Sequence, residues 1–291
     1  MLPRPDRQYS RLRRRAGGRL PVLQRAARAG QYWFRELRLR AFLDGGPIRS
    51  AAEAQARRHL ADQVPDPELR ALLTPDYEIG CKRVLISNDY YPAVASERVE
   101  LVPHAVREVR PHGVVGADGV ERPADVLVFG TGFAVMDIPL AHRLVGREGR
   151  SLAEQWRTGA VAHRGTTVAG FPNLFLLLGP NTALGHSSVV LMIEAQIDYL
   201  LAALRTLEAY DARALEVRRA AQERYDAELQ ARLAGTVWND GGCRSWYRAP
   251  DGRNFALWPT HVFTFQRQMA RFDARSYSLR RPAERRTGVA A

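Results

Sequence analysis

The sequence predicts an α/β chain. Three observations carry that expectation: helical spacing in an Ala-, Leu- and Arg-rich stretch over residues 10–73, a change to short β-branched runs between Cys81 and Phe133, and an alternation of strand-like and helix-like segments from Pro139 onward. With 291 residues and 46% apolar composition, the chain can bury one large core or two small ones.

The first segment places Trp33, Phe34, Leu37 and Phe42 at helical intervals, punctuated by Gly17-Gly18, Gly45-Gly46-Pro47 and Pro65-Asp66-Pro67. The β-type runs that follow are Val84–Ile86, Val99–Val102, Val106–Val109, Val114–Val115 and Val126–Phe129, with Asp118-Gly119 as a hairpin turn. Further along, the pattern predicts a strand over Leu174–Leu178, a helix over Ser187–Ala209, a strand over Leu215–Val217 and a helix over Ala220–Leu233.

Composition excludes several classes. The longest apolar runs, Leu174–Leu178 and Val189–Ile193, are too short to span a bilayer, and no apolar segment follows the basic start as a secretory leader requires, so a cytoplasmic protein is expected. Cys81 and Cys243 stand far apart, form neither a disulfide framework nor a metal-ligand cluster, and are expected as reduced thiols. The net charge of +12 is local: residues 1–40 hold twelve arginines against Asp6 and Glu36, which accounts for ten of the twelve charges. Arg11, Arg13, Arg14 and Arg15 would suit phosphates, but no recognisable nucleic-acid module accompanies them, and a solvated arginine face is the expectation.

Three constellations carry candidate chemistry. In DVLVFGTGF (residues 125–133) a buried parallel-type strand runs into Gly130-Thr131-Gly132, whose glycines let backbone approach a ligand, although Val135 takes the place of a third dinucleotide-loop glycine. In FPNLFLLLGPNT (residues 171–182) a buried strand delivers Gly179, Pro180, Asn181 and Thr182 to a sheet edge, and the helix after it aims free N–H groups at that crevice. His186 and Glu194 lie near the start of that helix, where a histidine either pairs in catalysis or caps and packs. The third is Lys82-Arg83, the only lysine of the chain beside an arginine; adjacent cations suit a phosphate and an oxyanion, and equally suit solvent.

Taken in order, GCKRVLISNDYYP (80–92), DVLVFGTGF (125–133), FPNLF with GPNT (171–175 and 179–182), CRSWY (243–247) and LWP (257–259) resemble the C-terminal part of flavin-containing monooxygenases of the Baeyer–Villiger type. That branch includes cyclohexanone, phenylacetone and 4-hydroxyacetophenone monooxygenases, and the resemblance runs from the first residues to about residue 270. It implies a two-dinucleotide-binding-domain flavoprotein fold, incomplete here: a helical segment (1–75) inserted in the NADPH domain, the remainder of that domain (76–131), and the C-terminal part of the FAD domain (132–291).

The resemblance also implies FAD and NADPH as cofactors, dioxygen as co-substrate, and a ketone or heteroatom compound as substrate. By match, Arg83 stabilises the flavin peroxide that attacks the carbonyl, and Lys82 contacts the NADPH 2′-phosphate region. Thr131, Gly132 and Phe133 close the NADPH domain near FAD, and Gly179, Pro180, Asn181 and Thr182 lie beside the isoalloxazine ring. The family's two glycine-rich phosphate loops have no counterpart in this sequence, so the chain is expected to be roughly the latter half of such an enzyme, with weak or no activity alone. Two other readings stand beside this one: an N- or S-oxygenating flavin monooxygenase, and a non-catalytic basic binding protein that uses residues 1–40.

Overall fold

The structure, a computed structural model, describes residues 1–5, 10, 11, 15, 18, 20–135 and 137–281. Gly17, Arg13 and Arg14 of the expected arginine face therefore lie outside the described residues. The chain separates into two compact units, one of Met1–Arg7, Ser50–Asp76 and Val84–Ala134, the other of Gln8–Arg49, Tyr77–Arg83 and Val135–Ala291.

The helical segment is as predicted, and its breaks fall at the predicted punctuation. Helix α1 (Pro21–Arg38) leads into the short α2 (Arg40–Leu43). Gly45 and Gly46, at φ +72° and +68°, then redirect the chain into α3 (Gly46–Gln63), because the left-handed region costs a residue without Cβ nothing. Helix α4 (Pro67–Leu73) opens on a proline at its first turn, and the Asp66 carboxylate accepts the Glu68 N–H at 3.0 Å.

In the first unit, β1 (Val106–Arg110), β2 (Gly113–Gly116) and β3 (Glu121–Pro123) form an antiparallel meander in that order. Gly119, at φ +80°, makes the β2–β3 turn predicted at Asp118-Gly119. A small cluster of Leu60, Val64 and Tyr91 sits beneath α3 and the short α5 (Tyr90–Val94). His59 reaches the Ser87 carbonyl at 2.9 Å, and the Met1 ammonium donates to the Tyr91 hydroxyl at 3.0 Å.

The parallel-type strand expected at Val126–Phe129 does not form, and two of the other β-type runs stay out of the sheets. Val84–Ile86 contributes a single parallel bridge, Leu2 to Ile86, and Val99–Val102 and Val126–Phe129 join no ladder. Val128 is 90% exposed and Phe129 75%, the reverse of the burial expected for that run. The physical reason is pairing. A hairpin strand finds its neighbour a few residues away, whereas a parallel strand needs partners remote in sequence on both sides, and none of the described residues supplies them.

The second unit holds the larger core. Helix α7 (Val190–Ala209) buries Met192, Tyr199 and Ala203 against Trp258, Val262, Phe265 and Met269, the last three on α10 (Val262–Met269). Strand β4 (Ala214–Val217) pairs antiparallel with β5 (Tyr277–Arg280), and α8 (Arg219–Leu233) follows β4. These match the expected helices and the expected strand to within three residues, whereas Leu174–Leu178 is irregular chain that bends at Leu177 and Leu178 in place of the expected strand. Short helices α6 (Leu152–Gln155) and α9 (Val237–Asp240) complete the unit, the first closed by a reciprocal Ser151–Glu154 capping box.

His163 is 5% exposed in this core, its ring edge-on to Tyr225 at 5.2 Å and Tyr277 at 5.9 Å. Burial lowers its pKa to about 4, with the neighbouring Arg164 guanidinium adding to the effect. Its folded pKa thus lies below the unfolded value, so its neutral form favours the native state above pH 6.5. That contribution, about 3 kcal/mol, disappears as pH falls from about 6.5 through 4. His163→Phe keeps the ring contacts and removes the proton site. Urea titrations from pH 7 to 4 are expected to show a shallower acid loss of stability in this variant than in the wild type, and parallel curves would contradict the assignment.

Candidate active site

The site forms where residues 165–184 and 254–258 cross. Leu178 and Asn181 both adopt left-handed backbone, at φ 54° and 57°, and such conformations persist only where surrounding contacts enforce them. Gln196, fully buried on α7, supplies one set. Its Oε1 accepts the Leu178 N–H at 2.9 Å, while its Nε2 donates to the Gly165 carbonyl at 2.8 Å and the Thr166 hydroxyl at 3.0 Å. Asn181 receives the other: its N–H donates to the Phe255 carbonyl at 2.7 Å, and its side chain donates to the carbonyls of Asn254 (2.7 Å) and Leu257 (3.1 Å). Thr182 closes the turn by donating to the Gly179 carbonyl at 2.6 Å.

Two glycines permit the crossing. A Cβ at Gly179 would meet the Gly165 carbonyl oxygen at 2.4 Å, and one at Gly165 would meet the Thr182 Cγ2 at 2.2 Å. The loop is thus a close backbone crossing held from below, and Gly179, Pro180 and Thr182 line a cavity of about 420 Å³ above it. Apolar side chains make most of the remaining wall, among them Val135, Trp156, Leu176, Trp246 and Phe255. Val189, the residue preceding the first turn of α7, also lines it, but the first-turn N–H groups expected to be free are taken up locally: Val190 donates to the Ser188 hydroxyl, Leu191 to the Ser188 carbonyl, and Met192 and Ile193 to the Val189 carbonyl.

Of the sequence-predicted residues, Gly179, Pro180 and Thr182 reach the cavity, and Asn181 serves beneath it. Lys82 and Arg83 are exposed and do not line it; the Lys82 ammonium stands 4.7 Å from the centre of the Tyr77 ring. Burial raises the Tyr247 pKa, and the Arg83 charge opposes that rise. Thr131, Gly132 and Phe133 belong to the first unit, where Phe133 is 94% exposed and a Cβ at Gly132 would meet nothing within 4 Å. His186 does not face Glu194. It is buried with its Nε2 3.5 Å from Glu36, its pKa lowered to about 4 by burial and then by His261 and Arg38, so it packs as a neutral ring.

The expectation of two reduced cysteines is corrected: Cys81 and Cys243 are joined by a disulfide across 162 residues of sequence. Sequence distance is no guide to spatial distance, and here the Cα atoms lie 6.1 Å apart, within bridging range. Glycines bring the two segments together. A Cβ at Gly80 would press on the Phe42 ring at 2.8 Å, and one at Gly241 would lie 2.9 Å from the Cys81 Cβ. The bond joins the residue before Lys82-Arg83 to the loop that carries Trp246 into the cavity wall.

Sequence reasoning missed Gln196 and Asn254, the polar side chains that hold the loop, and Glu36, which seats α1. Glu36 is buried and accepts from the His261 ring at 3.0 Å and from the Val262 N–H at 3.1 Å; burial raises its pKa, while these two donors lower it. A signal existed for Gln196 and Glu36, since each interrupts an otherwise apolar helical stripe.

No protein-family model matches the chain. It is 45% identical over 281 residues to a Baeyer–Villiger monooxygenase of Pseudomonas aeruginosa, covering 96% of this chain and 53% of the relative. It is 45% identical over 292 residues to a Baeyer–Villiger monooxygenase of Streptomyces coelicolor, covering 100% and 56%. Among solved structures it is similar to NADP+-bound cyclohexanone monooxygenase from Rhodococcus sp. Phi1, with a TM-score of 0.70 and 27% identity over 84% of this chain and 47% of that one. The chain belongs to the Baeyer–Villiger monooxygenase family, and its fold is a partial form of that two-dinucleotide-binding-domain flavoprotein fold. It spans about half the length of the curated relatives it matches.

The polar support under the loop is testable. Gln196→Met keeps the volume but leaves the buried Gly165 carbonyl and the partly buried Leu178 N–H without their partner, at a cost of about 1–3 kcal/mol for the buried group. Urea denaturation is expected to show that loss with an unchanged m-value. A loss below about 0.5 kcal/mol, the range of surface substitutions, would show that the loop stands without Gln196.

Proposed function

We propose that this chain supplies the flavin-ring half of an FAD- and NADPH-dependent monooxygenase, cytoplasmic, that inserts one atom of dioxygen next to the carbonyl of a small ketone. The observation that carries the reading is the cavity of about 420 Å³, apolar-walled and floored by the Gly179–Thr182 crossing. When bound, FAD reduced by NADPH supplies the activation of dioxygen.

The residues present fit the ring end of that cofactor. The floor is bare backbone at Gly179, where a side chain would collide with Gly165, and the walls are apolar enough to hold a flat ring system and exclude water. Arg83 is the catalytic cation in this reading: a guanidinium is charged at every working pH and meets charge developing on oxygen with a planar fork of donors. Lys82 is the 2′-phosphate reader of NADPH, and Thr131, Gly132 and Phe133 pass close to the flavin. In the same reading residues 1–75 are a helical insertion in the NADPH domain, 76–131 its remainder, and 132–291 the C-terminal part of the FAD domain.

An N- or S-oxygenation in place of ketone oxidation would use the same residues, and the substrate assay below separates them. The basic-module reading of residues 1–40 loses support from Glu36, which is buried against His261 and Val262 and so commits α1 to the core of its unit.

The test joins this chain to the complementary first half of the Streptomyces relative. In that enzyme Arg83→Ala is expected to leave NADPH oxidation within about threefold and to lower ester or lactone formation by at least about a hundredfold, the scale of losing one charge stabiliser. Equal loss of both activities would assign Arg83 to folding. Lys82→Ala is expected to raise the KM for NADPH by about ten- to a hundredfold, the worth of one charge-assisted phosphate contact, and to leave that for NADH unchanged. An equal rise for both cofactors would remove Lys82 from the phosphate site.

A further inference from the structure

The bond between Cys81 and Cys243 has no part in the oxygenation chemistry, yet it sits between that chemistry's two segments. On one side Cys81, 1% exposed, immediately precedes the exposed pair Lys82 and Arg83. On the other, half-buried Cys243 precedes exposed Arg244 and stands three residues before Trp246 of the cavity wall. Apart from the disulfide, these turns share the hydrogen bond from the Glu78 N–H to the Gly241 carbonyl (3.0 Å) and that from the Cys243 N–H to the Cys81 sulfur (3.2 Å). Gly80 and Gly241 are the residues that let Cys81 approach, since a Cβ at either would collide with Phe42, Val237 or Cys81 itself.

We propose that Cys81 and Cys243 are a peroxide-responsive thiol pair whose oxidation clamps the Lys82-Arg83 segment to the Trp246 loop and whose reduction releases both. The consequence for oxygenation rests on the reading of Arg83 given above; the clamp itself does not. A cytoplasmic protein meets a reducing thiol pool, and disulfides there are characteristically transient, catalytic or redox-sensing. A flavin- and oxygen-dependent enzyme that releases hydrogen peroxide in unproductive turnover would supply the oxidant at its own site.

The chemistry balances. The thiolate of Cys243, the more accessible of the two, attacks one oxygen of hydrogen peroxide, the O–O bond breaks, and hydroxide leaves and is protonated to water as the sulfenic acid forms. The Cys81 thiol then attacks that sulfur; the S–O bond breaks, the S–S bond forms, and a second water departs with the thiol proton. Two thiols are oxidised and one peroxide is reduced to two waters. A cellular dithiol reverses the step by exchange at the Cys243 sulfur, ending with its own two sulfurs joined and both protein thiols restored.

The test uses the isolated chain and needs no flavin, so it succeeds or fails independently of the proposed activity. Protein reduced with dithiothreitol and desalted is treated with hydrogen peroxide and digested with trypsin under non-reducing conditions. Peptides 71–82 and 233–244 are expected to appear joined, two hydrogens lighter than their sum. Limited trypsin digestion of the folded chain is expected to cut after Lys82, Arg83 and Arg244 at least about tenfold faster in the reduced form, with cuts elsewhere changed less than about twofold. Cys243→Ser is expected to show the fast pattern with or without peroxide, and if that variant fails to fold, the reduced and oxidised wild type make the comparison alone. Absence of the joined peptide overturns the proposal, as does unchanged cleavage at the three bonds. Uniformly faster cleavage along the chain also overturns it, because the bond is then a general staple of the fold.

Discussion

Asn254 is fully buried, and its amide and backbone together determine the shape of the cavity floor. Its Oδ1 accepts the N–H groups of Ala256 (3.2 Å) and Leu257 (3.1 Å), bending that chain into the turn from which Phe255, Ala256 and Leu257 face the loop. Its Nδ2 donates to Asn239 at 3.1 Å, its N–H to Gln230 at 3.1 Å, and its carbonyl receives Asn181 and Gln230. A buried network of this kind is satisfied as a whole or fails as a whole, because each partner left alone bears its full desolvation cost of about 1–3 kcal/mol. The left-handed turn at Asn181, the approach of Gly179 to Gly165 and the width of the cavity all follow from it.

Glu36 plays the corresponding part for the arginine-rich helix. A carboxylate at 2% exposure is costly unless donors surround it, and here the His261 ring and the N–H opening α10 do so, with the positive end of that helix behind them. The only acid in α1 is thereby the residue that seats it, and the arginines at its end stay in solvent. Charge counted along the sequence led to the expectation of a solvated arginine face, and the arginines of α1 are exposed; charge located in space adds that the helix is held by its one acid. The same contact disposes of His186 as a base, since its ring lies buried beside Glu36 with its pKa lowered to about 4, by burial first and then by the charges of His261 and Arg38.

How much of this was legible in the sequence depended on how local the cause was. Helix breaks at Gly45 and Pro67, the β2–β3 turn at Gly119 and the extent of α8 follow from residues within a turn or two, and they were predicted. The Gly179–Thr182 stretch was legible as a loop because glycine and proline mark it, while its supports Gln196 and Asn254 are single polar residues whose partners lie tens of residues away. The cysteines failed for the same reason in reverse. Nothing near Cys81 announces Cys243, and only the packing of Gly80 on Phe42 and of Gly241 on Cys81 brings them together.

The strand expected to be parallel carries the remaining lesson. Val126–Phe129 has the composition of a buried strand, but composition supplies only suitability; burial comes from neighbours on both edges and both faces. Antiparallel ladders form in this chain wherever the partner is close, as in β1–β2–β3, or is brought back by a core, as with β4 and β5. In a fold of dinucleotide-binding domains the neighbours of a central strand come from distant stretches of sequence, and this chain spans about half the length of its relatives. The candidate residues therefore divide by the source of their support. Gly179–Thr182 rest on Gln196 and Asn254 within their own unit and hold their shape through it, whereas Thr131, Gly132 and Phe133 end a segment with no strand beside it among the described residues. The Gly179–Thr182 floor is thus the part of the proposed site whose geometry is set by contacts the structure shows, and it is set within a single unit.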